Sequence, residues 1–518
     1  MFLDNLKKES AKTETQNGAV GYKTTLNNVL DFNLLIGNSR FLPSSKLKNK
    51  FDKSYSENPL LTAKSIFYGR DIEQGGGDKK YGRIGIRKLL DKLDKDKYDT
   101  LFNLVVTYGS YRDLTLLLGQ KGLSTEQIDS LTNYLITAMN TAINKVKDNQ
   151  KPNNELLVFK YLPSETTKSS FMKVAYKRLL NKLNFTNKQY RKLVTKYRKE
   201  LKLVETDLTT KNYPLDYNKI PSQAMLKYKD AFYRNDKETI TKHFEKLNNK
   251  DTNENVKVNT KTLEPYQLVS KISPFSYYLF EPSISKEDID YYNTLWDNLP
   301  NQENDITVLP VIDTSGSMSL AYQSASPIDV ATSLGIYLSE QNKSYYHNHF
   351  FTFSSRPELL SFNDNQKLYD KLKVLSKVDW GMDTNLESVF NTILSTALSN
   401  NHKPSDLPKV LLIISDMHFN ACATDSSDSF FETMRKNYQD NGYELPFIVF
   451  WNVNGTGETN HPTVSTDKNV CQVSGFSKNI FKSIMDLDLD DLENYTPEKV
   501  LVETLNKPRY DLVERLFN

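Results

Sequence analysis

Asp313, Ser315 and Ser317 alternate along "VLPVIDTSGSMSL", residues 308–320, where an apolar run ends abruptly in an acid. Residues 308–312 read as a buried strand. Gly316 lets the chain turn tightly just beyond it. One carboxylate and two hydroxyls can then point into one small volume. They are hard oxygen ligands, which suit Mg²⁺ or Mn²⁺. Zinc fits poorly, because no Cys or His pair has ligand spacing. The serines also lack the partners of a nucleophile. No G-x-S-x-G elbow surrounds them, and His347, His349, His402, His418 and His461 are scattered over other segments. His418, two residues past Asp416, reads as a loop residue beside the metal. No catalytic set is assembled, so a non-enzymatic role is expected.

The elements that must position these oxygens follow from the pattern after residue 304. "DITVLPVI", "HNHFFTFSS", "LPKVLLIIS" and "ELPFIVFWNV" are short runs rich in Val, Ile and Phe. Helical stretches such as "PIDVATSLGIYLSEQN" and "TNLESVFNTILSTALSN" alternate with them. Alternation of this kind implies a parallel sheet covered by helices on both faces. In such sheets ligands sit beyond the carboxyl ends of the strands. "VLLIISDMHF" places Asp416 at such an end, and "WGMDTNLESVF" places Asp383 or Thr384 just before a helix. The acidic run from Asp486 reads as a solvated helix margin.

From about 20 to 300 the chain is helical in pattern, with apolar residues at three- and four-residue spacing. "GIRKLLDKLDKDKYDTLFNLVVTYG" and "EQIDSLTNYLITAMNTAINKVKDN" are examples. Stacked helix pairs, an α-solenoid with degenerate repeats, are the simplest architecture. The stretch 251–265 is polar and reads as a loop. "DIEQGGGDKKYGR" lacks the G-K-S/T of a phosphate loop and reads as a flexible link between helices. Residues 168–202 carry twelve Lys and Arg residues against one acid, Glu200, with Tyr176, Tyr190 and Tyr197 interleaved. Such a stripe can hold phosphates and stack on single-stranded bases, or it can be a solvated helix face.

With 518 residues, the chain needs more than one core. A content of 38% apolar and 25% charged residues suits a soluble globular protein. The mean hydropathy of −0.58 gives no membrane span. The start has no apolar core of signal-peptide length, and two cysteines make no disulfide framework. An intracellular, cytoplasmic home is therefore expected. A net charge of +3 implies no nucleic-acid partner by itself.

The D-x-S-x-S stretch, followed by Thr384 in "TN" and by Asp416 after a later strand, resembles the metal-ion-dependent adhesion site of von Willebrand factor A domains. The resemblance spans residues 304–518. It implies a Rossmann-like fold and a Mg²⁺ or Mn²⁺ ion held by Asp313, Ser315, Ser317, Thr384 and Asp416. It also implies an open position that a partner's acidic group could fill. "KYLPSE", "LNFTNKQYRKLVTKYRKELKLVE" and "IPSQAMLKYKDAFYRND" are similar to segments of Ro-type (TROVE) RNA-binding proteins. So are "YGRDIEQGGGDKKYGRIGIRKLLDKL" and "VVTYGSYRDLTLLL". That family places HEAT-like helical repeats, closed into a ring, before a von Willebrand factor A domain.

The resemblance leaves the start and the loop near 251–265 unplaced. Residues 1–20 are expected to be a flexible tail, and the resemblance implies a ring-like α-solenoid over 21–303 and the α/β domain with closing helices over 304–518. It implies a monomeric ring that binds small or single-stranded RNA. The general property of a basic ring carries onto Lys173, Lys177, Arg178, Arg191, Lys192, Lys196, Arg198 and Lys199, with Lys79, Lys80 and Arg83 facing the ring hole. The alternative is a phage or bacterial structural component, in host cytoplasm or virion, that adheres to a protein partner through its cation site.

Overall fold

A computed structural model describes residues 2–148, 150, 155–248, 256–273, 284–301, 307–319, 326–378, 380–381, 383–421, 430–453, 460–488 and 490–518. The chain forms two compact units. One gathers residues 1–65, 73–81 and 260–507; the other gathers 66–72, 82–259 and 508–518. This differs from a linear division near residue 303, because both units draw on distant parts of the chain. The two units are a mixed-sheet unit and a helical one.

The first twenty residues belong to the sheet unit and are structured. Phe2–Ala11 is a helix, and β1 (Lys12–Glu14) pairs antiparallel with β2 (Val20–Tyr22). Their anchors come from the far C-terminal part of the chain. Lys8 Nζ sits 2.6 Å from Glu432 Oε1 and 3.0 Å from Asp467 Oδ1. Ala11, Tyr22 and Val464 are buried together, and Tyr22 exchanges backbone hydrogen bonds with His461. A flexible tail is the natural expectation for a polar start, since nothing local shows these long-range partners.

The main sheet consists of β3 (Val308–Asp313), β4 (His349–Phe353), β5 (Glu358–Ser361), β6 (Val410–Ser415), β7 (Phe447–Asn452) and β8 (Val470–Ser474). Its spatial order is β5-β4-β3-β6-β7-β8. All pairs are parallel except β4–β5, which is antiparallel. Every residue of β3, β6 and β7 is buried, which explains their unbroken apolar runs. Val311, Phe353, Val389, Phe390, Ile413, Met434 and Phe450 share one core. Each such side chain contributes roughly 1.5–3 kcal/mol by leaving water. The helix Pro327–Gln341 returns from β3 and lies close on it. A Cβ at Gly335 would stand 2.0 Å from Ile312 Cδ1. The chain leaves the centre by β3, builds outward to β5, then returns as β6 on the other side. The order reverses between β3 and β6, where a doubly wound sheet opens its ligand crevice.

The glycine run is ordered rather than a flexible link. Asp78 is buried beside it and caps the helix Lys79–Leu90, accepting from the Lys80 and Tyr81 amides at 2.9 and 3.0 Å. Such a carboxylate satisfies amides that the first helical turn leaves open. Its other oxygen accepts from Gly37 N and Ser39 Oγ. Residues 251–255 of the expected polar loop lie outside the described residues. Glu264 at the loop's far end forms a capping box with Gln267. Cys471 is buried in β8, and Cys422 lies outside the described residues.

In the helical unit, helices pack mostly on near neighbours in sequence. Tyr98–Tyr108 touches Tyr111–Leu118 and Thr125–Lys147, and Ser170–Leu183 touches the last two. Capping boxes at Ser124–Gln127 and Thr186–Gln189 start two of these helices. The last residues of the chain complete this unit. Tyr510 is buried against the rings of Tyr68 and Tyr108, and Arg509 pairs with Asp71. Among the described residues, no helix is long and apolar enough to cross a membrane.

Candidate metal centre and basic helix face

β3 ends at Asp313, which is fully buried at the β3–β6 switch point. The turn beyond it folds back on its own carboxylate. Ser315 N donates to Asp313 Oδ1 at 2.9 Å, and the Ser315 and Ser317 hydroxyls lie 3.2 Å apart. A short 3₁₀ turn, Gly316–Ser319, follows. Ser415, the last residue of β6, donates its hydroxyl to Asp313 Oδ2 at 2.6 Å. Asp416 comes next, is 2% exposed, and accepts from His418 N at 3.2 Å. Between Asp416 and His418, Met417 takes a φ of 68°. This left-handed conformation turns the chain sharply here.

Thr384 reaches the same sheet edge through a circuit of backbone bonds. Thr314 N donates to Phe353 O at the end of β4. Asn385 N donates to Ser354 O, one residue further. Asn420 N, in the loop after β6, donates to Thr384 O, and the Asn420 side chain accepts from Thr384 N. The ends of β3, β4 and β6 and the segment around Thr384 are thus tied into one rim. Thr384 is buried, whereas the exposed Asp383 accepts from Ser355 Oγ at 3.1 Å. Four of the five oxygen-bearing residues are buried and Ser317 is half-buried, so Ser317 is the most accessible of the five.

Electrostatics sets this edge apart. Burial, and then the charge of Asp416, push the Asp313 carboxyl up to about 7, against hydrogen bonds from Ser315 and Ser415. Among the described residues, neither acid has a Lys or Arg partner. His418 is 1% exposed, and among the described residues both of its ring nitrogens lack a hydrogen-bond partner. No group of three or more His, Cys, Asp and Glu residues suited to a metal occurs among the described residues. The oxygens here come from two acids and three hydroxyls instead.

The basic stripe divides into two kinds of residue. Lys173 and Lys177 on Ser170–Leu183, and Arg191, Lys192, Lys196 and Lys199 on Asn187–Glu200, are exposed. Arg178 and Arg198 are half-buried and serve the fold. Arg178 donates to the Leu118 and Gln120 carbonyls, and Arg198 to those of Phe159 and Leu162. These are acceptors that helix ends leave unpaired. The tyrosines expected to stack on bases are core residues. Tyr176 meets Tyr190 edge to face at 5.2 Å, and Tyr197 stacks on Phe159 at 4.9 Å. Tyr190, Val194 and Tyr197 share one buried helix stripe. Lys80 and Arg83 are likewise committed. Lys80 donates to Leu42 O, and Arg83 pairs with Asp113. The acidic margin after 485 is solvated and paired, with Asp486 on Lys507 and Asp491 on Lys499.

Residues 157–304 match the model of a domain of unknown function, DUF2828, and residues 307–510 match that of another, DUF7788. An uncharacterized protein, L728 of Acanthamoeba polyphaga mimivirus, is 28% identical over 525 residues. That alignment covers 95% of this chain and 86% of the viral protein. The crystal structure of the Ro (RSR) protein of Deinococcus radiodurans aligns with 92% of this chain and 93% of its own. The identity is 12% and the TM-score is 0.37, which does not establish a shared fold.

Three contributors to the rim escape a motif-based reading. Ser415 precedes Asp416 directly, and its place at a strand end is a usable signal. Asn420 sits in a loop without a pattern. Asn17 donates from its side chain to Thr384 Oγ1 at 3.1 Å and to His418 O at 2.7 Å. Asn-Gly in "TETQNGAV" marks a turn, but no local feature shows where that turn docks.

Proposed function

We propose that this protein is a non-enzymatic RNA-binding scaffold of Ro type. Its helical unit would be a ring-like solenoid of HEAT-like repeats, and its sheet unit a von Willebrand factor A-like domain with a Mg²⁺ or Mn²⁺ site. The observation that carries the metal reading is the buried pair Asp313 and Asp416. Two carboxylates that repel each other and lack a basic partner among the described residues are costly to bury. A divalent cation removes that cost, and three hydroxyls supply further hard ligands. Asp313, Ser315, Ser317, Thr384 and Asp416 would hold it. The sheet order and the position of Asp313 at the switch point support the domain reading.

The RNA reading rests on six exposed cations, Lys173, Lys177, Arg191, Lys192, Lys196 and Lys199, on two helices that touch through Tyr176 and Tyr190. Among the described residues none of the six has an acidic partner. With the tyrosines of the stripe in the core, binding there is by phosphate charge rather than base stacking. Arg178 and Arg198 are left out of the contact set.

Fluorescence anisotropy with a single-stranded RNA tests this. If the six cations each meet a phosphate, log Kd changes with log salt by a slope of about 4. Reversing Arg191, Lys192, Lys196 and Lys199 to Glu abolishes measurable binding at moderate salt. Affinity indifferent to both salt and these changes rules the RNA reading out. Manganese titration followed by electron paramagnetic resonance tests the metal separately; one site is expected, lost in Asp313→Ala.

The second reading is adhesion to a protein through the cation. Ser317, the least buried of the five, favours it, because an acidic group can approach there. The relative from an Acanthamoeba virus supports a viral rather than a phage setting. A pull-down yielding protein alone, lost with chelator, supports this reading over RNA.

A further inference from the structure

The N-terminal hairpin turn lies on the loops that bear the candidate metal site. Thr15 Oγ1 donates to Phe419 O at 2.7 Å, and Gly18 bridges to Asn420. Thr15 also closes the turn itself: its hydroxyl accepts from Ala19 N, and its own amide donates to Ala19 O. Gly18 holds a φ of 87°, which a side chain would strain. This fixed turn presents Asn17, whose carboxamide bridges two loops. Its NH₂ group donates both to Thr384 Oγ1 and to His418 O. Both acceptors flank the site, one on a proposed ligand and one two residues past Asp416.

We infer that Asn17 is a positioning residue of the cation site, acting through Thr384. A threonine hydroxyl has one proton and two lone pairs. The Asn17 N–H engages one lone pair and fixes the side-chain rotamer. The second lone pair is left for the cation, and the hydroxyl proton is free to donate elsewhere. The same carboxamide ties the Thr384 segment to the loop carrying Asp416. The distance between two ligands that lie on separate loops is thereby set from a third segment. Partners of this kind orient ligands, and their loss typically weakens metal binding about 10- to 100-fold.

This inference rests on the metal reading above, and the test separates the two. Full-length wild-type protein, Asn17→Ala, Thr384→Ala and the double variant are titrated with Mn²⁺, with free ion read by electron paramagnetic resonance. Thermal midpoints are measured without metal. Asn17→Ala is expected to bind Mn²⁺ about ten-fold more weakly, and the small fall in its metal-free midpoint expected from two lost hydrogen bonds is measured separately. The double variant is expected to bind no more weakly than Thr384→Ala alone, because Asn17 works through that hydroxyl. If wild type binds no Mn²⁺, the metal reading itself fails. If wild type binds and Asn17→Ala binds equally or more tightly, or if the two losses simply add, the role of Asn17 is overturned while the metal site stands.

Discussion

Asp113 in the helical unit and Asp313 in the sheet unit are both buried carboxylates, in opposite surroundings. Asp113 accepts from Arg70 Nε and Nη2 at 3.0 and 2.7 Å and from Arg83 Nε at 2.6 Å. Burial pushes its carboxyl up, and the two guanidinium charges outweigh that and hold it below the ordinary carboxylate range. Asp313 faces hydroxyls and a second carboxylate, and its carboxyl is pushed up to about 7. The first acid carries its counter-charge in the sequence. The second, among the described residues, does not. A buried acid that is already neutralised is part of the architecture; one left short of positive charge, among oxygen donors at a sheet's switch point, is where the proposed cation would supply it.

The largest effect expected from this contrast is on the helical unit. Arg70→Ala leaves Asp113 with the partly exposed Arg83 as its one basic partner among the described residues, beside the Ser110 hydroxyl, and a broken buried pair costs about 3–5 kcal/mol. Urea unfolding followed by circular dichroism checks it, and Mn²⁺ should not restore the loss. The matching change in the sheet unit, Asp313→Asn, should leave metal-free stability unchanged or raised, because it removes a repulsion. Were both variants equally destabilised, the distinction between the two acids would disappear.

Next in size is the response to metal. A cation at about a hundred times its Kd stabilises the folded state by about 2.7 kcal/mol. Thermal midpoints of wild type should rise with Mn²⁺, and those of Asp313→Asn and Asp416→Asn should not. A rise that survives both substitutions would place the ion elsewhere.

Asp31 shows that the contrast follows from partners and not from which unit an acid occupies. It lies in the sheet unit with Asp313, yet it has Lys50 Nζ at 2.8 Å and accepts from Thr25 N and Oγ1. Burial pushes its carboxyl up, but the charges of His461 and Lys50 outweigh that, and the pKa falls to about 2. A folded-state pKa below the unfolded one stabilises the protein above about pH 4. That contribution, about 2 kcal/mol, is lost as pH falls through about 2. Asp31→Asn should therefore be less stable than wild type at pH 6, with the gap closing as pH falls from about 4 through 2. A gap independent of pH would mean that the ion pair does not hold Asp31 in place.

How much of this was legible in sequence follows the range of the interactions. The strands β3, β6 and β7 are unbroken apolar runs, and the parallel part of the sheet follows from their alternation with helices, whereas the antiparallel edge strand β5 was not expected. Asp313, Ser315 and Ser317 could be placed together because one turn holds them. The docking of residues 2–22 could not, since Lys8 finds Glu432 and Tyr22 finds His461 across most of the chain. The basic stripe was half legible. Charge counts do not distinguish a lysine in water from an arginine whose guanidinium closes a helix end. Periodicity does distinguish the tyrosines, because Tyr190 and Tyr197 lie with Val194 on one buried face. The glycine run misleads for a related reason. Its order comes from Asp78, whose partners Gly37 and Ser39 stand well before it in the chain.

The smallest expected effect on stability sharpens the same point at the surface. Lys192→Glu and Lys196→Glu touch exposed side chains without acidic partners among the described residues, so stability should move by no more than about 0.5 kcal/mol. Arg198→Ala removes two donors from helix-end carbonyls and should cost more, about 1–3 kcal/mol. RNA affinity is expected to order them the other way. Each lysine reversal should weaken binding and lower the salt slope by about 0.7 or more, whereas Arg198→Ala should leave the slope unchanged once the folded fraction is accounted for. Measuring unfolding and anisotropy on the same three variants separates charge that faces solvent from charge that the fold has already used. If Arg198→Ala lowers the slope as the lysine reversals do, the guanidinium reaches the phosphate after all, and burial is no guide to which cations bind.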